Sequence, residues 1–458
     1  MASQFQPCPD RTEGDINLSS ARRRWQAGHL DNETKALLAE DEKYFLHQSL
    51  STPCLTALAS SKGSHIVDLA GNIYFDFHGN SAHQVGYGHP RVIAAIHDEL
   101  DRLPFSPRRF TNRAAVALAR KLAELSPGHL NKMLFAPGGA TVNGIALKLA
   151  RLATGRFKIL SFWDAFHGAS LDTISVGGEA LFRRNIGPLL PGCIQVPPPA
   201  AECFGADPLS WQQAAAYIDY VMDHEGDVAA FIAEPMRCTT IHIPPPEFWQ
   251  QVRQICDRHG ALLIFDEIPI CLGRTGYMFA CDHYGVTPDM LCIGKGLGGG
   301  VFPLAAILVR DDLDIAATQA LGHYTHEKSS VGCAAALATL HVIEEEGLLA
   351  RAQQLGGNVL AFLQQLCSNH SCVAAARGLG LMLGLEIAAP EGSGVTATEI
   401  AERILYAALS TGLSFKVSGG KVLTLTPPLT ISDAEMETAL TILETSLDQV
   451  ESNLGLNR

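Results

Sequence analysis

The chain has 458 residues, enough for more than one structural unit and an ample core. A hydrophobic content of 47% with 18% charged residues excludes a disordered chain, and a net charge of −13 argues against a nucleic-acid-binding surface. Twelve cysteines without a C-x-x-C pair, and no continuous apolar stretch of membrane length, point to a reduced, cytoplasmic protein with no disulfide framework, zinc site or membrane partner.

Residues 1 to about 75 are polar and read as an N-terminal arm with part of a small domain. Helices are expected over 21–27 and 33–45, then short strands near 66–68 and 73–75. The triplet Arg22-Arg23-Arg24 and the pairs Arg108-Arg109 and Arg183-Arg184 read as solvated helix faces. From residue 76 to 332 helix-like and strand-like segments alternate. Strands are expected at 132–135, 158–161, 228–232 and 261–265, and helices at 114–125, 142–153 and 247–259. That alternation predicts an α/β domain with a mostly parallel central sheet and ligands beyond the carboxyl ends of its strands. After Cys333 an Ala/Leu-rich helix, the glycine-rich 378–386 run, a helix over 396–410, a strand pair near Leu413 and Val422, and a helix over 432–447 predict a smaller α+β domain over 333–458.

The most informative residue is Lys295, in Cys292-Ile-Gly-Lys-Gly-Leu-Gly-Gly-Gly300. It follows by 29 positions an acid, Asp266, that ends the apolar run Ala261-Leu-Leu-Ile-Phe265. A lysine in a glycine-rich turn beyond a strand, with a strand-end aspartate, is what holding pyridoxal 5'-phosphate requires. The amine forms a Schiff base and moves protons, which desolvation assists. The acid keeps the pyridine nitrogen protonated, so that the ring draws off electrons. Pro137-Gly138-Gly139-Ala140 precedes a helix, so its backbone N–H groups can cradle an anion.

From about Asp68 to Leu447 these motifs, in this order, resemble the class III pyridoxal-phosphate enzymes, the ornithine and ω-amino-acid aminotransferase group. The resemblance implies fold type I and assigns the Schiff base to Lys295 and the ring nitrogen to Asp266. It places Ile268 under the ring and the aromatic of Phe166-His167-Gly168 against it. The phosphate falls to Gly139 and Ala140, joined by the Thr325 hydroxyl from a neighbouring subunit, which implies a homodimer with shared active sites. Glu234-Pro235 matches an acid that shapes the substrate pocket, and Leu272-Gly-Arg-Thr-Gly276 continues the signature.

The departures bear on the reaction. Where the aminotransferases carry an arginine that clamps a carboxylate just before Pro-Pro-Leu, this chain has Thr424, and a neutral hydroxyl cannot replace a bidentate clamp. Arg237 replaces the usual Gln after Glu-Pro-x, Pro269 replaces a second Gln, and Thr141 and Gly144 stand where the phosphate helix usually has acids. Arg109 lies where phospho-lyases of the family place an Arg-aromatic pair. A lost carboxylate clamp and added cations suit a phosphate or phosphonate dianion, with Arg109 and Arg237 as its expected holders. The pattern therefore resembles the family's lyases most, those that release ammonia from a hydroxylated aminoethylphosphonate. The alternative is a transaminase of 2-aminoethylphosphonate or another ω-amine with a keto-acid acceptor. Asn80-Ser-Ala-His83 is expected to line the pocket, with His83 structural.

Overall fold

The computed structural model describes residues 17–201 and 208–456. Two compact units emerge. One joins the described residues up to Gly88 with Thr239–His242 and the described residues from Ala350, and the other comprises the described residues of His89–Cys238 and Ile243–Leu349. The expected boundaries after residues 75 and 332 thus lie earlier than the observed switches. The physical reason for the second is that helix Ser330–Glu345, with Val331, Ala335 and Leu340 buried, packs on helices Pro90–Arg102 and Arg113–Leu125 of the larger unit.

The larger unit is built on seven strands in the order Lys132–Ala136, Ala305–Val309, Met290–Ile293, Leu262–Asp266, Val228–Ala233, Lys158–Phe162 and Cys193–Val196. Ala305–Val309 runs antiparallel to both of its neighbours, and the other pairings are parallel. The mostly parallel α/β sheet of the sequence reading is therefore present, with one reversed strand inside it. Val228–Ala233 is buried along its whole length, as a strand covered on both faces must be. Helix Gly139–Thr154 packs across the sheet through Val142, Ile145, Ala146 and Leu149. This anchors its N-terminus beside the carboxyl ends of the parallel strands, where ligands of such sheets bind.

The second unit holds two four-stranded sheets. Val373–Leu379, Met382–Ile387, Val422–Leu425 and Lys416–Ser418 pair antiparallel in that order. Leu58–Lys62, His65–Asp68 and Ile73–Asp76 form the other sheet, with Leu413–Ser414 added parallel at its edge. Arg22, expected on a solvated face, is instead buried, and its Nη2 donates to the Pro53 carbonyl at 2.9 Å. The ten described cysteines are all free. No described helix is long and apolar enough to cross a membrane.

Candidate active site

Five turns at the carboxyl ends of strands of the large sheet carry most of the expected residues. Asp266 closes Leu262–Asp266 and is buried. Its Oδ2 accepts from Asn143 Nδ2 at 2.7 Å and lies 2.9 Å from His167 Nδ1, while Oδ1 accepts from the Ile268 N–H at 3.2 Å. Asn143 also donates to the His167 carbonyl at 2.8 Å, so helix, loop and strand end are tied into one rigid group. Sequence reasoning missed Asn143. Its only signal was an amide facing inward from an otherwise apolar helix. The outer atoms of this group, His167 Nε2 and Asn143 Oδ1, have no partner among the described residues.

Beside this carboxylate two glycines let the backbone pack closely on Ile268. A Cβ on Gly139 would come 2.7 Å from Ile268 Cδ1, and one on Gly294 would come 3.2 Å from Ala305 Cβ and 3.4 Å from Ile268 Cγ2. Ile268 thus meets both Gly139 and the residue before Lys295. Gly138 caps helix Gly139–Thr154 without a side-chain hydrogen bond, which leaves its first N–H groups for an anion. Gly168, at φ +126°, lets the His167 loop close on the same helix: a Cβ there would lie 2.8 Å from Ala140 Cα. Gly168→Ala is expected to push Ala140 away, costing about 1–3 kcal/mol of stability and loosening phosphate retention. Thermal unfolding with and without added cofactor checks both.

The acid missing at Gly144 is supplied from elsewhere. A Cβ on Gly144 would stand 2.5 Å from Asp172 Oδ2, so the carboxylate of Asp172 occupies the room a larger side chain would take. Asp172 is held by Ser170 Oγ at 2.6 Å and the Thr173 N–H at 2.9 Å.

Lys295 starts a 3₁₀ turn, Lys295–Gly298, at φ +47°. A non-glycine residue in that region is strained, and such strain gathers at functional sites. Its side chain is exposed, so the described chain alone does not provide the desolvation expected of it. Phe166 is half-buried and packs on Phe182 with ring centroids 4.4 Å apart. Glu234 is buried and accepts from the Cys238 N–H at 3.0 Å, which folds the Arg237 turn back on it. Arg237 donates to the Trp163 carbonyl at 3.4 Å, and Arg183 stacks over the Trp163 ring at 5.4 Å. Arg109 and Thr325 are exposed, and among the described residues no hydrogen bond ties either to this group. The neighbouring Arg108 instead faces His323, with nitrogens 2.6 and 2.7 Å apart. His83 is fully buried, and its Nε2 lies 3.0 Å from the Asp76 carbonyl. Thr424 lies in the smaller unit, buried in Val422–Leu425.

Two charged neighbours of the motif are core groups. Burial pushes Arg274 down to about 9. Burial pushes Glu267 up to about 7, opposed by the N–H groups of Ala280 at 2.6 Å and Cys281 at 2.7 Å. A carboxyl whose folded pKa is raised stabilises the fold below its unfolded pKa and loses that contribution as pH rises through the folded value. Wild type is therefore expected to lose stability relative to Glu267→Gln as pH goes from about 5 to about 8. Thermal midpoints of the two proteins across that range read the difference directly.

The residues present fit pyridoxal phosphate: a buried carboxylate for a ring nitrogen, an apolar residue beside it for a flat ring, an uncapped helix for a phosphate, and a lysine beyond the sheet. Comparison with known proteins agrees. A family model described as aminotransferase class-III matches residues 47–447. The chain is 46% identical to the (R)-1-hydroxy-2-aminoethylphosphonate ammonia-lyase of Vibrio splendidus, covering 96% of this chain and 95% of that one. It is 33% identical to the acetylornithine aminotransferase of Methanothermobacter thermautotrophicus, covering 89% and 97% respectively. The crystal structure of an (S)-enantioselective omega-transaminase from Thermomicrobium roseum superposes with a TM-score of 0.83 at 29% identity, over 91% of this chain and 98% of that one. An omega transaminase from Pseudomonas jessenii in complex with PMP gives 0.84 at 26% identity, over 92% and 99%.

Proposed function

The chain belongs to the class III aminotransferase family, and from that premise we propose that it is an ammonia-lyase acting on (R)-1-hydroxy-2-aminoethylphosphonate, in the breakdown of phosphonates. The reaction expels hydroxide from the carbon bearing phosphorus. The resulting enamine becomes an imine, and its hydrolysis yields phosphonoacetaldehyde and ammonia. The observation that carries this reading is Thr424, which leaves the position of the carboxylate clamp neutral. Its Oγ1 is already committed to the Thr239 carbonyl at 3.2 Å and lies 3.0 Å from Ser418 Oγ. The near full-length likeness to the Vibrio enzyme supports the same substrate.

The cofactor is pyridoxal 5'-phosphate, which supplies an electron sink for the carbon bearing the amine. Gly139 and Ala140 would hold its phosphate at the helix end, Ile268 and Phe166 would pack against its ring, and Asp266, oriented by His167 and Asn143, would keep the ring nitrogen protonated. Lys295 Nζ takes the proton from the carbon next to nitrogen and returns it to the departing hydroxide. Arg237 offers the phosphonate a charge-assisted fork, and Arg109 is its second holder. Glu234 keeps the Arg237 turn folded. Thr325, exposed at 325, offers its hydroxyl to a second copy of the chain, so the working unit is a homodimer with shared sites. It works in the cytoplasm, where its free cysteines stay reduced.

The test is ammonia release from cofactor-loaded protein given (R)-1-hydroxy-2-aminoethylphosphonate, with and without pyruvate. Ammonia in the absence of any keto acid is expected. Alanine formed only with pyruvate would instead make the protein a transaminase of 2-aminoethylphosphonate or another ω-amine.

A further inference from the structure

Residues Thr239–His242 are a short excursion of the chain that clusters with the smaller unit. Three successive carbonyls of this segment are taken by side chains of one sheet. Thr424 Oγ1 donates to Thr239 O at 3.2 Å. Arg377 Nη2 donates to Thr240 O at 2.8 Å, and its Nε to Ile241 O at 2.9 Å. Arg377 is itself fixed by Glu386, 2.6 Å from its Nη1, and Lys421 braces the same carboxylate at 2.7 Å. Ile241 is fully buried yet sits at φ +52°, a conformation that a β-branched residue adopts only when its surroundings impose it. The sheet makes room for it at Gly384, where a Cβ would come 2.8 Å from Ile241 Cγ1.

This is more fastening than a surface turn needs. On its other side the turn is held by Glu234, which accepts from the Cys238 N–H at 3.0 Å. Between the two fastenings stands Arg237. We propose that Thr424, together with Arg377, is a positioning residue for Arg237. At the position where related aminotransferases bind a carboxylate directly, this chain uses a hydroxyl to hold the backbone that presents a different cation to the substrate's phosphonate. The proposal rests on the assignment of Arg237 to the phosphonate. It makes Thr424 act on substrate affinity through the turn, without touching substrate.

A double-mutant cycle tests it. Thr424→Val keeps the β-branched shape and removes the hydroxyl, with both its bond to Thr239 and its contact to Ser418 Oγ. In the cofactor-loaded enzyme it is expected to raise KM for (R)-1-hydroxy-2-aminoethylphosphonate about tenfold, with kcat changed by less than about twofold. The inhibition constant of phosphonoacetate, an anion without the amine, is expected to rise in parallel. Thr424→Ser, which restores the hydroxyl, is expected to restore both. In an Arg237→Ala background, Thr424→Val is expected to add less than about twofold, because the two residues act as one unit. Full additivity, or a loss confined to kcat, overturns the positioning role while leaving Arg237 as the phosphonate holder. An Arg237→Ala variant with unchanged KM and phosphonoacetate inhibition overturns that assignment and the positioning role with it. Arg377→Met frees Thr240 and Ile241 instead and is read the same way if Thr424→Val fails to fold.

Discussion

Lys295→Ala is expected to lower ammonia release by on the order of 10⁴-fold, while the protein still folds and retains its cofactor. The lysine is exposed, so its removal opens no cavity, and alanine inherits the same left-handed backbone at φ +47° without new strain. What disappears is the amine proposed to carry the proton between carbon and the leaving oxygen. Lys295→Arg should fare no better. A guanidinium stays protonated at any working pH, so it can neither attack an aldehyde nor accept the proton. Ammonia assays on both variants, alongside the absorbance of the bound cofactor, separate lost chemistry from lost binding. An alanine variant that kept a tenth of the wild-type rate would remove Lys295 from its role.

The position of Lys295 in a turn beyond a strand was legible because its signal is local: a lysine among glycines, a fixed distance beyond a strand-end acid. The placement of Asp266 at a strand end and of Gly139 at a helix start was readable for the same reason, since strand, turn and helix follow one another without interruption. Features that depend on distant segments were not. Asn143 gives no hint in sequence that it shares Asp266 with His167, because their meeting is set by how the helix crosses the sheet. Asp172 fills the space above Gly144 from a separate helix, Leu171–Val176, so a departure that read as a missing acid is a relocated one. The reversed strand Ala305–Val309 looks in sequence like any buried strand, and only the immediate return of the chain after Gly300 separates it from a parallel one. The absence of an arginine at 424 was visible at once. The hydrogen bonds of Thr424 to the Arg237 turn, some 185 residues earlier, were beyond any local pattern.

The buried carboxylate offers the second large effect. Asp266→Asn preserves shape and volume but removes the charge proposed to hold the ring-nitrogen proton, and turnover is expected to fall on the order of 10²–10³-fold. Its surroundings make the change costly in a second way. Oδ2 receives Asn143 Nδ2 at 2.7 Å and faces His167 Nδ1 at 2.9 Å, while Oδ1 receives the Ile268 N–H at 3.2 Å. An asparagine has one acceptor oxygen. Whichever way its amide turns, an N–H group faces Asn143 or Ile268, leaving a buried clash of donors worth about 1–3 kcal/mol. His167 can relieve part of this by taking the other tautomer when the amide nitrogen points toward it. The Ile268 backbone cannot, and Asn143 can turn its own oxygen inward only by giving up its bond to the His167 carbonyl. Combining Asp266→Asn with Asn143→Asp puts an acceptor back opposite the new donor, at the cost of that same bond. The pair is therefore expected to recover part of the lost thermal stability while turnover stays low, because the restored charge sits on the wrong residue to reach the ring nitrogen. Recovery of turnover along with stability would mean that the carboxylate serves to hold the fold, and that the proton on the ring nitrogen is kept by another group.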